Sequence, residues 1–418
     1  MELIPGYKYT EAGVIPEDWD AKPFGLVLSK GRLGGNYANQ DAEAELPLMK
    51  MGNIARGKFD LSKVQFIRPG VLPDSAHRLV YGDVLFNTRN TLDLVGKVAI
   101  WRDEIPVAYY NSNLMRLEFD SDQICSNEYA NYSLNTESAI SRLRGLATGT
   151  TSVAAIYTRD LLKLQILVPP LPEQRSIAQA LSDVDALLAT LEKMIAKKRD
   201  LKLAAMQQLL TGEKRLPGFS GEWKILQARE IGTFKGGSGF PLRAQGETDG
   251  EYPFFKVSDM NNEGNETFMT AANHYVSGRT RLRLGAAAFP ADSIVFAKVG
   301  AAVFLERKRI LGQASCIDNN MAAFILDKSR VDVGYIHALL LSKKLSALVA
   351  TTALPALNAK QLGEMSLAVP PLPEQLAIAT VLSEMDAELS TLEARREKTH
   401  NIKQAMMQEL LTGKTRLV

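Results

Sequence analysis

Cysteine is nearly missing from this 418-residue chain, which holds only Cys125 and Cys316. Two cysteines without a CxxC pair, and four scattered histidines, exclude a disulfide framework and a structural zinc site. That usage fits a reducing compartment, and the cytoplasm is the expected location. No apolar run reaches about 18 residues, which excludes a membrane-spanning helix, and the polar, acid-bearing start MELIPGYKYTEAGVIPEDW is not a signal peptide. A dominant charge is absent too. The 49 Lys and Arg nearly balance 47 Asp and Glu, so any binding to nucleic acid must come from local clusters. With 46% hydrophobic and 23% charged residues the chain has a globular balance, and its length predicts two or three domains.

Catalytic motifs are equally scarce. FKGGSGF (234–240) resembles a methyl-donor loop but fails F-x-G-x-G at Ser238, and no (N/D)PP(Y/F) occurs; the stretch reads as a flexible recognition loop. TGKT (412–415) resembles the end of a phosphate loop, yet the required first glycine falls on Gln408, so it reads as a helix terminus. His77, His274, His337 and His400 have no partner spacing. No residue stands out as catalytic, cofactor-binding or metal-ligating.

What the chain does have is a repeat. PPLPEQ occurs at 169–174 and again at 370–375, and an ungapped alignment of 168–216 with 369–417 gives 28 identities in 49 positions. The match weakens toward the N-terminus but continues. GTTSVAAIYTRDLLKLQILVPP from Gly149 lies over ATTALPALNAKQLGEMSLAVPP from Ala350, both reading as loop, short turn and strand. LPLMKMGNI (46–54) lies over YPFFKVSDM (252–260), GDVLFNTRN (82–90) over ADSIVFAKVG (291–300), NSNLM (111–115) over DNNMA (318–322) and EDW (17–19) over GEW (221–223). The chain is two copies of a unit of roughly 200 residues, each a divergent front and a similar tail.

Each tail predicts a long helix. Pro172 and Pro373 suit its first turn, Glu173 and Glu374 its positive end, with Gln174 and Gln375 beside them; Gly212 and Gly413 suit its stop. Ile177, Leu181, Val184, Leu188, Leu191 and Ile195 recur at 4,3 spacing, as do Ile378, Leu382, Met385, Leu389 and Leu392, which marks a coiled-coil seam. Beyond it the register is expected to slip, because Lys198 and Lys202 fall on the seam and Leu201 and Ile402 beside it. About 40 residues give a helix of roughly 60 Å. The stripes predict that the two helices pair antiparallel, with a partner protein's helix as the alternative. The fronts read as mixed α and β, with strands around Val84–Phe86, Val95–Trp101 and Leu114–Phe119 and helices at Asn127–Leu146 and Val333–Val349. PPLP itself reads as a strand-to-helix corner rather than a proline-rich ligand.

Two divergent fronts, each followed by VPPLPEQ…LS…D…L…LLTG, resemble the specificity subunit of type I restriction-modification enzymes along the whole chain. The GDVLF strand (82–86) and the PxxK…(D/N)(I/M) pattern (47–54 and 253–260) carry the same resemblance. It implies an α+β fold of two target recognition domains, 1–168 and 215–369, followed by spacer helices at 169–214 and 370–418 that pair as an antiparallel coiled coil with pseudo-two-fold symmetry. It implies a non-catalytic subunit that reads a split, asymmetric site on double-stranded DNA and docks two methyltransferase subunits and restriction subunits. S-adenosylmethionine, ATP and Mg are expected in those partners, with none here. The alternative is a tandem coiled-coil scaffold that binds proteins.

The charge in the fronts is even: 18 Lys and Arg against 20 Asp and Glu in 1–166, and 17 against 14 in 217–366. DNA contacts must then come from clusters. In the first front these are Asn87, Thr88, Arg89 and Asn90 after a strand, and Lys30 and Arg32 in SKGRLGGNY. In the second they are Lys298, at the position resembling Arg89, the alternating Arg279, Arg281 and Arg283, and Lys235 and Arg243 flanking the glycine stretch.

Overall fold

The computed structural model describes residues 5–349 and 355–417. It divides into two compact units, Met1–Glu192 with Ala394–Val418, and Lys193–Glu393.

In the first unit the central strand Val84–Asn87 is buried along its whole length, between Val98–Ile100 and Leu114–Phe119, and Leu28–Leu33 closes the far edge; all pairings are antiparallel. Strand alternation sends Val84 and Phe86 into one core, with Trp19, Tyr129 and Ile177, and Leu85 into another, with Trp101 and Tyr110. A smaller sheet, Pro47–Met49 with Tyr109–Tyr110 in parallel and Gln65–Ile67 antiparallel, covers the second face. The expected helix at 127–146 is two helices, Asn127–Leu134 and Glu137–Gly145. The break lies at Asn135 and Thr136, because the Thr136 hydroxyl accepts from Ala139 N (3.2 Å) and starts a new helix.

The second unit follows the same plan. Gly232–Gly236, Met321–Leu326, Ile294–Ala297 and Lys308–Leu311 repeat the four-strand order, and Phe268–Met269 adds a fifth strand in parallel. Tyr252–Phe255 pairs in parallel with Cys316–Ile317, as Pro47–Met49 does with Tyr109–Tyr110. The expected helix at 333–349 stops at Leu341, and Leu345–Leu348 forms a separate 3-10 turn. The Glu306 carboxylate imposes that turn by accepting from Leu345 N (3.0 Å) and Ser346 N (2.7 Å). Of the stretch beginning at Ala350, residues 350–354 lie outside the described residues; the rest forms the helix Ala359–Gly363 and the strand Ser366–Val369. FKGGSGF is no free loop either, since Lys235 belongs to the edge strand Gly232–Gly236.

The two tails are the helices Leu171–Thr211 and Leu372–Leu410, and each contributes its first part to one unit and its last part to the other. Gly212 (φ +75°) and Gly413 (φ +74°) end them in the left-handed region, and a Cβ on Gly413 would meet Pro16 Cδ at 2.5 Å. In the first unit Ile177 and Leu181 share a core with Met406, Met407 and Leu410; in the second Ile378, Leu382 and Met385 share one with Ala205, Met206 and Leu209. In both units the start of one helix therefore packs on the end of the other, an antiparallel pairing. The register does not slip. Lys202 pairs with Asp386, Lys198 with Glu388 (2.6 Å) and Lys403 with Asp185 (2.6 Å), while Leu201 and Ile402 are exposed. The lysine stems fill seam positions, and their ammonium groups reach acids that flank the facing helix. Among the described residues no helix is long and apolar enough to cross a membrane.

Candidate nucleic-acid interface

Ladder register brings several sequence-predicted residues to one end of each main sheet. In the first unit Asn87 ends the central strand opposite Leu114, and Arg89 and Asn90 pair with Ala155 and Ala154. In the second unit Ala297 ends the equivalent strand, followed by Lys298. Ile156 N donates to Thr88 O (3.0 Å) and Leu357 N to Lys298 O (2.8 Å), so Lys298 matches Thr88 rather than Arg89. The sequence pairing was one residue off, because the ladder and not the run of charges fixes the equivalence. Arg32 and Lys235 do occupy equivalent positions, next to Leu33 and Gly236, which face Met115 and Ala322. Glycine is required just beyond: a Cβ on Gly34 would lie 2.2 Å from Tyr110 O, and one on Gly237 2.0 Å from Asp318 O. The Lys298 ammonium lies over Gly236, where a Cβ would approach Nζ to 2.6 Å.

Other candidates are placed differently. Asn87 and Thr88 are enclosed rather than presented to solvent. Asn87 Oδ1 accepts from Arg89 N (3.3 Å) and the Thr88 hydroxyl donates to Asn113 O (2.9 Å), so they hold the turn on which Arg89 stands exposed. Lys30 is exposed on the edge strand and Arg243 on the 3-10 turn Leu242–Ala244. Arg279, Arg281 and Arg283 do not line one face, because Gly278–Arg283 is helical, which puts Arg279 and Arg283 on one side and Arg281 on the other. Arg281 packs over the Tyr252 ring (5.1 Å) and donates to Ala286 O (3.0 Å), while Arg279 and Arg283 are exposed.

The PxxK…(D/N) pattern turns out to be a cap. Lys50 N donates to Asn53 Oδ1 (2.9 Å) and Lys256 N to Asp259 Oδ2 (2.8 Å), each closing a 3-10 turn. Burial raises the Asp259 carboxyl above its ordinary value.

A model of the type I restriction modification DNA specificity domain matches residues 67–199 and 220–401. The chain belongs to this family. It is 26% identical over 427 residues to a Methanocaldococcus jannaschii protein named for the MjaX specificity subunit, an alignment that covers 98% of this chain and 97% of that one. It is 22% identical over 432 residues to the MjaVIII specificity subunit of the same organism, covering 96% and 94%. Among solved structures, the type I S subunit of M. genitalium superposes with a TM-score of 0.60 at 15% identity, covering 98% of each chain. A chain from a study of complex assembly and conformational transition of the type I R-M system gives 0.55 at 14% identity, covering 96% of this chain and 99% of that one.

The repeated corners of this specificity-family chain contain a feature that sequence reasoning found only in pieces. Glu173 is buried and accepts from Trp19 Nε1 (2.8 Å) and from Arg416 through Nε (2.7 Å) and Nη2 (2.8 Å). Glu374 is equally buried and accepts from Trp223 Nε1 (3.2 Å) and from Arg215 through Nη2 (2.6 Å) and Nε. EDW and GEW supply the indoles, and the RL dipeptides at the repeat ends supply the guanidinium forks. These hydrogen bonds hold Arg416 and Arg215 above the ordinary arginine range. Gln174 and Gln375 complete each corner: Nε2 donates back to Pro169 O (2.9 Å) and Pro370 O (2.8 Å), and Oε1 accepts from Cys125 N (3.1 Å) and Asp332 N (2.8 Å). PPLPEQ is thus an anchored strand-to-helix joint that fixes where each front meets its helices.

Proposed function

We propose that the chain reads a split, asymmetric site on double-stranded DNA, one half by each front, and docks two methyltransferase subunits and restriction subunits without performing chemistry itself. S-adenosylmethionine, ATP and Mg would then be bound by those partners, in the cytoplasm. One observation carries the reading: similar corners and helix seams hold two fronts of one plan whose sheet ends present different side chains, Arg89 and Asn90 in one and Lys298 in the other. Sameness where common partners would dock, and difference where bases would be read, is the pattern such a task requires.

The experiment exchanges the fronts, 1–165 for 217–366, and assembles the chain with its methyltransferase subunits. Methylation-sensitive sequencing should show both half-sites in reversed order. A folded, assembled complex that methylates without sequence preference would overturn the proposal, and a complex whose function shows no dependence on DNA and tolerates Arg89→Ala and Lys298→Ala would favour a protein-binding scaffold.

A further inference from the structure

Half-buried positive charges are crowded together at the same place in both fronts, two cations to one neighbouring acid in each, and the burial and repulsion outweigh what that acid returns. In the first unit Gly57 bridges Ala99 on the edge strand, and Gly57 N donates to Val98 O (2.8 Å), which sets Arg56 beside Lys97. Arg56 Nη1 is buried and has no hydrogen-bond partner among the described residues. Burial, then the charge of Arg144, pulls Arg56 below the ordinary arginine range; burial, then Arg56, does the same to Lys97. Asp60 lies near Lys97 and offsets part of its charge, while also accepting from Ser62 N (2.9 Å).

In the second unit the ladder register sets Arg309 at the position of Ala99 and Arg307 at that of Lys97. Arg309 Nε is buried without a partner among the described residues, and burial, then Arg307, lowers its pKa. Glu266 is nearby and offsets part of the Arg309 charge, while also accepting from Gly264 N (3.1 Å). The two fronts reach this arrangement by different routes, one through a loop guanidinium beside the strand and the other through a residue of the strand itself.

Like charges held together in partial burial are unfavourable unless an anion joins them. A guanidinium with an unused N–H beside a second cation suits a phosphate oxygen. Both clusters lie at the sheet end that carries the recognition turn, since Asn87 N donates to Lys97 O (2.8 Å) and Arg307 adjoins the strand end at Ala297. Base-reading residues should diverge between fronts, whereas a grip on the backbone serves any sequence. We infer that Arg56 with Lys97, and Arg309 with Arg307, each clamp a backbone phosphate of duplex DNA, an inference that rests on the DNA reading above.

The test measures binding of the full chain to short duplexes of several unrelated sequences over a range of salt. Lys97→Gln and Arg307→Gln should each weaken binding equally for every sequence and reduce the slope of log K against log salt by about 0.9. Arg56→Gln and Arg309→Gln should do the same, and without DNA at low salt they should raise Tm by relieving repulsion. Wild-type protein that binds none of the duplexes, alone or assembled with methyltransferase subunits, would sink the DNA reading itself. Wild-type binding with unchanged slopes in all four variants would overturn only the clamps. Loss confined to one sequence would make these residues base readers instead. Heat protection by inorganic phosphate that the variants lose, with DNA slopes intact, would make the clusters free-anion sites; both outcomes overturn the inference.

Discussion

Glu173 and Glu374 lie in the first turns of the two long helices, and the grips on them differ in their charged partners. Arg416 holds Glu173 and also pairs with Asp18 through two bonds (2.9 and 2.7 Å), while Arg215 holds Glu374 and donates its spare N–H to Gly221 O (2.9 Å). The first corner is a three-charge network and the second an isolated pair with a backbone acceptor. Asp18 is consequently held below the ordinary carboxylate range by Arg416. The shared element is the buried glutamate with its fork and indole; the third charge is an addition at one corner. A feature present at both corners serves the joint, and a feature present at one belongs to that front.

Removing the fork should break the comparison most. Arg416→Ala strands a buried carboxylate and leaves Asp18 unpaired, at an expected cost of about 3 kcal/mol, the low end for a broken buried pair because Arg416 is partly solvated. Arg215→Ala should cost less, since no second acid loses its partner. Urea unfolding read by tryptophan fluorescence checks the order, in backgrounds that keep Trp19 or Trp223 as the one indole, with Trp101 and the other tryptophan replaced by Phe, so that each reports on its own corner. Adding Glu173→Gln to Arg416→Ala should recover much of the loss, and an equal loss with either glutamine or glutamate at 173 would show that packing, not the stranded charge, sets the cost.

A smaller contrast lies at His337. Equivalent helices place Tyr129 and Tyr335 alike, donating to Leu167 O (3.1 Å) and Ala368 O (2.8 Å), so His337 corresponds to Asn131. His337 is buried, its Nε2 meets Lys308 O (3.0 Å), and the charged groups around it are Arg309, Asp386 and Lys202. Burial lowers its pKa below the ordinary 6.5. Above pH 6.5 the ring is neutral in both folded and unfolded chains and contributes no slope. As pH falls below 6.5 the unfolded chain takes up a proton that the folded one refuses, so stability falls until the folded pKa is reached, by at most about 1.4 kcal/mol per pH unit. The second unit should show this acid loss and His337→Asn should flatten it; a loss of the same size in His337→Asn would place the titration elsewhere.

The long helices, their seam and their joints were legible in the sequence because they are written twice, and repetition exposes the 4,3 spacing of Ile177 to Ile195. The strands at 84–86 and 114–119 were legible from apolar alternation. The corner network was not, because Trp19, Glu173 and Arg416 are far apart in the chain and only the antiparallel pairing brings them together. The breaks after Leu134 and Leu341 were missed for a local reason: Thr136 and Glu306 redirect backbone N–H groups that an apolar pattern treats as helical. The candidate interface was half legible. Arg32 and Lys235 fell at matching places, but the match of Thr88 with Lys298 depends on ladder register, which charge pattern does not encode.

The finest test of the comparison uses one ion pair that occurs in both units. Lys403 pairs with Asp185 and Lys202 with Asp386, at repeat-equivalent positions; the lysine side chains are 20% and 21% exposed, so the two cations are matched in charge and burial, while Asp386 (56%) is more exposed than Asp185 (33%). Their surroundings differ. Asp185 also accepts from the Tyr132 hydroxyl (2.7 Å) and Lys403 lies over the Tyr132 ring (5.3 Å), whereas Lys202 faces the neutral His337. A cation over a tyrosine face adds about 0.5–1 kcal/mol. Lys403→Gln should therefore cost that much more than Lys202→Gln in urea unfolding. Tyr132→Leu should erase the difference and Tyr132→Phe, which keeps the ring but not the hydroxyl, should retain most of it. If the difference survives in Tyr132→Leu, the ring is not its source, and the unequal packing of the two fronts against the same helix seam must be.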